Sequence, residues 1–193
     1  MNEMKNMKIR IILFMTIVSV IAGCSSMTAL EKDQKRSELD EMATKAIAGL
    51  IEQDSSIKAE IEQSLGYAVA NMKLTKIPIV GAGGGEGVFI DQKTQQRIYF
   101  TVSRFDVGGG WGARSYKSLL VVESQEVMDS LKGGTWEFQA GAEASAGTAS
   151  AEGSSAAINK GFTMHVLSDG GASATVTARI IHIKANKNLT EEN

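Results

Sequence analysis

The chain has 193 residues, and 20 Lys and Arg against 22 Asp and Glu give it a net charge of −2 at pH 7. That balance does not favour nucleic acid as a partner, because nucleic-acid-binding domains present a strongly basic face. A single cysteine allows no intrachain disulfide, and the length suits one domain with its own hydrophobic core.

The first residues have the pattern of a secretory signal peptide. Lys5, Lys8 and Arg10 precede an apolar run at residues 11–21, IILFMTIVSVI. The run is too short to cross a bilayer, which takes roughly 20 residues, but it fits the apolar part of a signal peptide. We therefore predict that residues 1–23 are removed from the mature protein.

The signal ends in Ile21-Ala22-Gly23-Cys24, which resembles the lipobox of bacterial lipoproteins. The resemblance implies a diacylglyceryl thioether and N-acylation on Cys24, with fatty acids such as palmitate. Several acyl chains together make a durable anchor, at about 0.8 kcal/mol per buried methylene, where one chain does not. An ordinary cleavage site with a chance cysteine is the alternative.

The residues after Cys24 give an indication of where in the cell the protein is located. Ser25 and Ser26 follow Cys24, and no Asp stands beside it. In bacteria with two membranes this resembles the pattern of lipoproteins that pass to the outer membrane. We therefore expect a lipid-anchored protein of the cell envelope, at the outer membrane and facing the periplasm or the cell surface.

The mature chain is expected to have three parts: a lipidated polar tether at residues 24–35, a folded domain at 36–183 and a polar tail at 184–193. Within the domain, apolar residues recur with helical period and predict an amphipathic helix; they are Leu39, Met42, Ala43, Ala46, Ile47, Leu50 and Ile51. A second, short helix is expected over residues 57–65.

From Tyr67 onward, short β-like runs alternate with glycine. Strands are predicted at residues 67–71, 87–91, 97–102, 118–122, 135–146, 162–167 and 172–183. Asp169-Gly170 predicts a hairpin turn between the last two, and residues 124–132 predict a short helix between strands. The expected fold class is α+β: a largely antiparallel sheet or partial barrel packed with N-terminal helices and one short inter-strand helix.

Patterns for catalysis or cofactor binding are weak. Glycine clusters at residues 81–87 and 108–113 lack the Gly-Lys-Ser/Thr and the following helix that phosphate loops require, so we interpret them as turns, bulges or close backbone approaches. His165 and His182 are the only histidines, and no serine elbow is present. We expect no enzyme activity, no metal and no cofactor.

The middle of the chain is basic, with seven basic and three acidic side chains in residues 66–122. Cations near a membrane surface attract anionic head groups by about 1 kcal/mol each. The candidate lipid-binding residues are Lys73, Lys76, Arg97, Arg104, Arg114 and Lys117. Arg104 shares strand parity with Phe100 and Val102, which predicts that it snorkels at a strand end or pairs with Asp106. The alternative is a scattered, solvated set of charges.

An ordered succession of segments resembles the SYLF domain over residues 35–183: LGYAVA at 65–70, GAGGGEGVFI at 81–90, VGGGWGAR at 107–114, an apolar run at 119–122 before a short helix, and FQAGAEASAG at 138–147. That family has bacterial lipoprotein members and eukaryotic members that bind phosphoinositides and, in some cases, actin. The resemblance implies a non-enzymatic, lipid-binding domain without an assigned catalytic motif. Prolines often expected after the Gly-Tyr-Ala-Val run and near Tyr99 are absent, and Pro78 is the only one.

Two functions from different classes remain open. The first is a membrane-anchored lipoprotein whose exported domain binds anionic phospholipid head groups through the basic segment, with the helix at residues 39–51 lying against the membrane. The second is a structural or adaptor lipoprotein that recognises another envelope protein and has no lipid affinity of its own. In that case the apolar stripe of the helix belongs to the core.

Overall fold

A computed structural model describes residues 27–140, 143–146, 149–152 and 161–190, and the side-chain surroundings of these except at residues 138–152 and 170–179. Cys24 and the expected signal peptide lie outside the described residues. Two units are distinguished, residues 1–31 and residues 32–193. Among the described residues, no helix has both the length and the apolar character that crossing a bilayer requires.

The described part of the first unit begins the first helix. The backbone N–H of Thr28 donates to Glu31 Oε2 at 2.7 Å, and the backbone N–H of Glu31 donates to Thr28 Oγ1 at 3.3 Å. This reciprocal pair is a capping box, which satisfies N–H groups that the first turn of a helix leaves without partners. The helix therefore begins at Ala29, inside the stretch expected to be a tether.

Within the described residues, three helices and seven strands follow one another. In order they are α1 (Ala29–Gln53), α2 (Ser56–Gln63), β1 (Gly66–Lys76), β2 (Val80–Asp91), β3 (Arg97–Val122), α3 (Gln125–Lys132), β4 (Thr135–Ala140), β5 (Glu143–Ala146), β6 (Ala149–Glu152) and β7 (Phe162–Ala185). The strands form one sheet in which every pairing is antiparallel. The predicted α+β class is confirmed.

The long strand β3 pairs with both arms of the β1–β2 hairpin. Its first half runs along β2, ending with Val107 opposite Val80, and its second half runs along β1, beginning with Gly112 opposite Lys76. Between the halves, β3 passes the hairpin turn, where the N–H of Gly108 donates to the carbonyl of Ile79 at 2.8 Å. Gly108, Gly110 and Gly112 have φ values of 134°, 143° and 142°, which side chains disfavour.

The predicted turn at Asp169-Gly170 is wrong, because β7 continues through it. Its partner β3 also continues, and the ladder extends from Phe100 opposite Ala185 to Val122 opposite Phe162. The register shifts once, between Ser115 and Tyr116, so Asp169 is the extra residue of a β-bulge. Beyond β3, the other neighbours of β7 are β4 and β5, and β6 pairs with β5.

Two hydrophobic clusters lie on the two faces of the sheet. On one face α1 and α2 cover Val69, Val88 and Leu119, and the apolar stripe of α1 is buried there through Leu39, Ala43, Ala46 and Leu50. The stripe is therefore core in this structure, and the expectation that it lies against a membrane is not met. On the other face, the buried side of α3 packs with the rest of the core, which includes Phe89, Phe100, Leu120, Val127, Met128 and Leu131.

The expected polar tail also contributes to the fold. Lys184 and Ala185 belong to β7, and Leu189 is buried in the cluster on the helix side. The N–H of Asn186 donates to the carbonyl of Tyr99 at 2.7 Å, which fixes this segment beside β3. All residues of the two clusters lie between Leu39 and Leu189, so a chain that begins at Ser25 retains the whole described core.

Candidate functional site

Three of the six predicted cationic residues are buried near the middle of β3, residues 107–112, where β3 passes the hairpin turn. Arg104 donates from Nε and Nη2 to the two carboxylate oxygens of Asp106, at 2.8 and 2.9 Å, and from Nη1 to the Tyr116 hydroxyl at 2.6 Å. Burial alone would lower the pKa of Arg104, but the hydrogen bonds and charges of Asp106 and Tyr116 raise it above its ordinary value. The predicted Arg104–Asp106 pair is confirmed.

The other two buried cations lie in the same cluster. The guanidinium carbon of Arg114 is 4.1 Å from the centre of the Tyr116 ring, a cation–π contact. Lys76 approaches Asp106 closely enough that a Cβ added at Gly81, between them, would lie 3.2 Å from both side chains. Lys76, Arg104 and Arg114 are each only 3–4% exposed. Their expected role as head-group ligands is therefore corrected: they face the interior.

The remaining three cations lie on the opposite face of the sheet, which α1 and α2 partly cover. Arg97 Nε is 3.5 Å from Asp40 Oδ1, and Lys117 Nζ is 2.5 Å from Asp169 Oδ1. Lys73 is exposed, and within the described part of the chain no hydrogen bond or ion pair of its side chain is seen. The six cations therefore do not form one exposed basic surface.

Strand alternation explains this division. In β3 the even-numbered residues face the interior on both sides of the middle segment, including Phe100, Val102, Tyr116 and Leu120. The even positions of the middle segment are the glycines at residues 108, 110 and 112, and the charged residues Arg104, Asp106 and Arg114 flank them. The odd-numbered residues of the same segment point outward.

The outward residues form an exposed apolar surface, which we call the apolar corner. Its members are Ile77, Ile79 and Val80 of the hairpin turn, Phe105, Val107 and Trp111 of β3, and Ile180 of β7. Trp111 is 73% exposed and Ile79 is 70% exposed. The members are neighbours in the sheet, because Val80 is opposite Val107 and Phe105 is opposite Ile180.

The hairpin turn and the middle of β3 expose no charged side chain at the apolar corner. Within residues 75–82 and 105–113 the only charged residues are Lys76 and Asp106, and both are buried. Surfaces in contact with water normally show the reverse pattern, with charges outside and large apolar side chains inside. Contiguous exposed apolar patches on folded proteins mark interaction sites. The alternation Phe105, Val107, Trp111 was readable in the sequence, but its exposure depends on β3 being continuous.

A polar groove of about 310 Å³ lies between the first half of α1 and the β1–β2 hairpin. It is lined by Lys35, Glu38, Leu39, Met42, Asn71, Lys73, Gly84, Gly85 and Glu86. Lys35 Nζ is 2.6 Å from Glu86 Oε2 and 3.9 Å from Glu38 Oε2. Lys73, an exposed member of the predicted set, also lines this groove.

The histidines and the first glycine cluster occupy structural settings. His165 Nε2 is 2.7 Å from Glu60, His182 Nδ1 is 3.7 Å from Glu137, and the two histidines pair with well-separated parts of β3. In the described part of the chain, no group of three or more metal-ligating side chains converges. Gly85 and Gly87 lie in β2 where neighbouring backbone comes close, which was one of the predicted interpretations.

Comparison with known proteins gives no relative for this chain: neither a protein-family model, nor a curated protein, nor a solved structure matches it.

Proposed function

We propose that the chain is a lipid-anchored protein of the cell envelope whose exported domain binds phospholipid membranes by inserting the apolar corner among the outer parts of the acyl chains. Acylation of Cys24 supplies the permanent anchor, at the outer membrane and facing the periplasm or the cell surface. The observation that carries the proposal is the corner itself, where large apolar side chains are exposed and the two charged residues within residues 75–82 and 105–113, Lys76 and Asp106, are buried.

The composition of the corner suits a bilayer surface. Each large aliphatic or aromatic side chain gains roughly 1.5–3 kcal/mol when it moves fully from water into an apolar phase, so a few partly inserted residues provide useful affinity. Tryptophan favours the boundary between head groups and acyl chains, because its ring is apolar and its N–H is polar. Trp111 stands at this corner with Phe105 and Val107 on the same side of β3.

The direction of α1 also supports a membrane as the partner of the apolar corner. Lys35 pairs with Glu86, whereas Asp40 pairs with Arg97, which begins β3 at the far end of the sheet. Going back along the helix from Asp40 to Lys35 therefore leads toward the corner. Only seven residues separate Cys24 from Lys32, a length that spans at most about 28 Å. An anchor at Cys24 keeps the domain at high effective concentration near head groups.

The expected preference for anionic head groups becomes a smaller part of the proposal. Of the six predicted cations, three are buried and two form ion pairs, which leaves Lys73 as the exposed one without a partner in the described structure. One cation near the surface contributes about 1 kcal/mol. We therefore expect binding that depends mainly on insertion and only weakly on salt or on the net charge of the membrane.

Vesicle sedimentation tests the proposal. A chain that begins at Ser25, and so carries no lipid, is expected to sediment with vesicles of phosphatidylcholine and phosphatidylglycerol. Replacing Phe105 and Trp111 together by Ser should abolish sedimentation, whereas Leu65→Ser, also an exposed apolar residue but outside the corner, should not change it. Equal sedimentation of all three chains, or none by the unaltered chain, contradicts the proposal.

A protein partner on the same corner is the second candidate function, since exposed apolar patches also mediate protein contacts. It predicts that cross-linking in the native envelope recovers one dominant protein, that Phe105→Ser with Trp111→Ser removes it, and that the chain from Ser25 does not bind vesicles. The absence of exposed charge within residues 75–82 and 105–113 favours the bilayer, because protein interfaces usually have a polar rim.

A further inference from the structure

We infer that the groove between α1 and the β1–β2 hairpin binds a zwitterionic phosphoethanolamine head group, with Lys73 holding the phosphate and Glu38 holding the ammonium. This inference deepens the proposed membrane-binding function and takes from it the position of the groove near the bilayer surface. It names a lipid class that the exposed cations alone do not suggest.

The charges of the groove are balanced but not all satisfied. Lys35 and Glu86 form the tight pair, at 2.6 Å, across the groove between helix and strand. Glu38 is held only loosely by Lys35, at 3.9 Å, and its side chain is 71% exposed. Lys73 is exposed and lines the same groove. The ammonium of Lys73 and the carboxylate of Glu38 are thus available to a ligand, beside the ion pair of Lys35 and Glu86.

Charge complementarity selects a zwitterion for this arrangement. A purely anionic head group would gain from Lys73 but would meet the carboxylates of Glu38 and Glu86. A purely cationic ligand would meet Lys35 and Lys73. A head group with a phosphate and an ammonium satisfies both signs at once, and charge-assisted hydrogen bonds are the strong ones.

The lining also separates ethanolamine from choline. A primary ammonium donates hydrogen bonds to a carboxylate, whereas a quaternary ammonium has no N–H and is recognised by the faces of aromatic rings. The side chains that line the groove are aliphatic, polar or charged, with Leu39 and Met42 as the apolar ones, and none of them is aromatic. The groove therefore has the donors and acceptors for ethanolamine and lacks an aromatic cage for choline.

A ligand can closely approach the backbone at the floor of the groove. Gly84 and Gly85 line it without side chains, and a Cβ added at Gly84, which lies on the same face of β2 as Glu86, would be 3.3 Å from the carbonyl oxygen of Val102. The sequence therefore keeps this surface at the level of the backbone. The volume of about 310 Å³ lies at the lower end of the range for small-ligand sites.

The distance between the groove and the apolar corner allows the groove to lie at the level of the lipid head groups when the corner is inserted in the membrane. Lys73 precedes Ile77 by four residues of extended chain, about 13 Å along β1. Amphipathic surfaces insert about 5–10 Å into the boundary between head groups and acyl chains. With the corner inserted to that depth, Lys73 and Glu38 lie at the level of the head groups.

Titration with soluble head groups tests the inference. Heteronuclear NMR spectra of the chain from Ser25 are recorded with glycerophosphoethanolamine, glycerophosphocholine and glycerophosphoglycerol. We expect saturable shifts at residues 71–73 and 84–86 with the first compound, and at least fivefold weaker binding of the other two. Lys73→Gln and Glu38→Gln should each weaken binding of glycerophosphoethanolamine about tenfold. Lys93→Gln and Glu52→Gln, exposed residues outside the groove, should leave it unchanged.

Equal affinity for all three head groups in the unaltered chain overturns the inference without any variant. Unchanged affinity in Lys73→Gln and Glu38→Gln also overturns it. The soluble compounds do not require the corner to insert, so the two proposals fail separately. Binding of glycerophosphoethanolamine without binding of vesicles supports the groove and contradicts the corner, and vesicle binding without head-group selectivity does the opposite.

Discussion

Arg104 and Asp106, two residues apart on β3, form a two-point ion pair inside the protein, with Nε–Oδ1 and Nη2–Oδ2 distances of 2.8 and 2.9 Å. Phe105, the residue between them, is exposed on the other side of the strand. One strand segment therefore buries its charges and exposes its apolar side chain. This inversion is the basis of the proposal that the middle of β3 faces a membrane and not water.

Removing Asp106 should strongly destabilise the protein, because it leaves Arg104 charged and buried without its main partner. Asp106→Asn is expected to lower the free energy of unfolding by about 3–5 kcal/mol, measured by denaturant unfolding. Asp40→Asn, which weakens a far more exposed pair with Arg97 and alters the acceptor of the Tyr99 hydroxyl, serves as the comparison, with an expected loss of about 1 kcal/mol. Similar losses for the two variants would contradict this ranking.

Replacement by alanine should affect stability differently at two glycines that lie in similar glycine-rich segments. A Cβ added at Gly87 would lie 2.2 Å from the carbonyl oxygen of Val69 and 2.6 Å from Phe100, whereas one added at Gly109 meets nothing within 4 Å. We expect Gly87→Ala to cost about 3 kcal/mol or more and Gly109→Ala less than about 1 kcal/mol. Thermal unfolding monitored by circular dichroism checks this, and equal shifts in Tm would show that the β2 contacts are looser than described.

Much of the fold was predictable because it follows from the periodic spacing of apolar residues in the sequence. The stripe of α1, the capped helix α3 and the alternation around Arg104 follow directly from residue order. The continuity of β3 and β7 was not predictable, since glycines and Asp169-Gly170 are typical of turns, and only the pairing of the two strands keeps them extended. Burial of Lys76 and Arg114 likewise depends on how β3 passes the hairpin turn.

Asp91 should make stability depend on acid pH. Its Oδ1 accepts hydrogen bonds from the N–H groups of Lys93 and Thr94, at 2.8 and 2.9 Å, and its Oδ2 pairs with Lys132. Burial raises the pKa of Asp91, but these hydrogen bonds outweigh burial and lower it to about 2. The folded protein therefore holds the carboxylate more tightly than the unfolded chain does, and the stabilisation is present above about pH 4.

That stabilisation should disappear as the pH falls from about 4 through 2, because protonation of Asp91 then costs the folded state its hydrogen bonds. We expect a contribution of about 1–2 kcal/mol, since Lys132 is partly exposed and its charge is screened. Comparing denaturant unfolding of the unaltered chain and Asp91→Asn between pH 6 and pH 2 measures it. A constant difference between the two chains over that range would exclude this role for Asp91.

Tyr99 should titrate late at alkaline pH. Burial, together with the charge and hydrogen bond of Asp40, raises the pKa of the Tyr99 hydroxyl to about 12. The hydroxyl donates to Asp40 Oδ2 at 3.2 Å. Because the folded-state pKa exceeds the unfolded value of about 10, this contribution to stability is present below pH 10 and is lost toward pH 12.

Ultraviolet difference spectra follow this ionisation, and Asp40→Asn should lower the pKa of Tyr99, since it removes the neighbouring negative charge. Thr44→Val, which alters an exposed residue of the same helix, provides the control. A tyrosine titration that is identical in the Asp40→Asn chain and the unaltered chain would remove Asp40 as a cause of the shift.

The central claim, insertion of the apolar corner, is tested most directly by the fluorescence of Trp111. The chain has two tryptophans, and Trp136→Phe leaves Trp111 as the only tryptophan, which is excited selectively at wavelengths that tyrosine does not absorb. With vesicles, the proposal predicts a blue shift of its emission, quenching by lipids brominated near the head of the acyl chain, and protection from an aqueous quencher. Emission that stays at its solvent-exposed position, with undiminished aqueous quenching at saturating lipid, would contradict the claim.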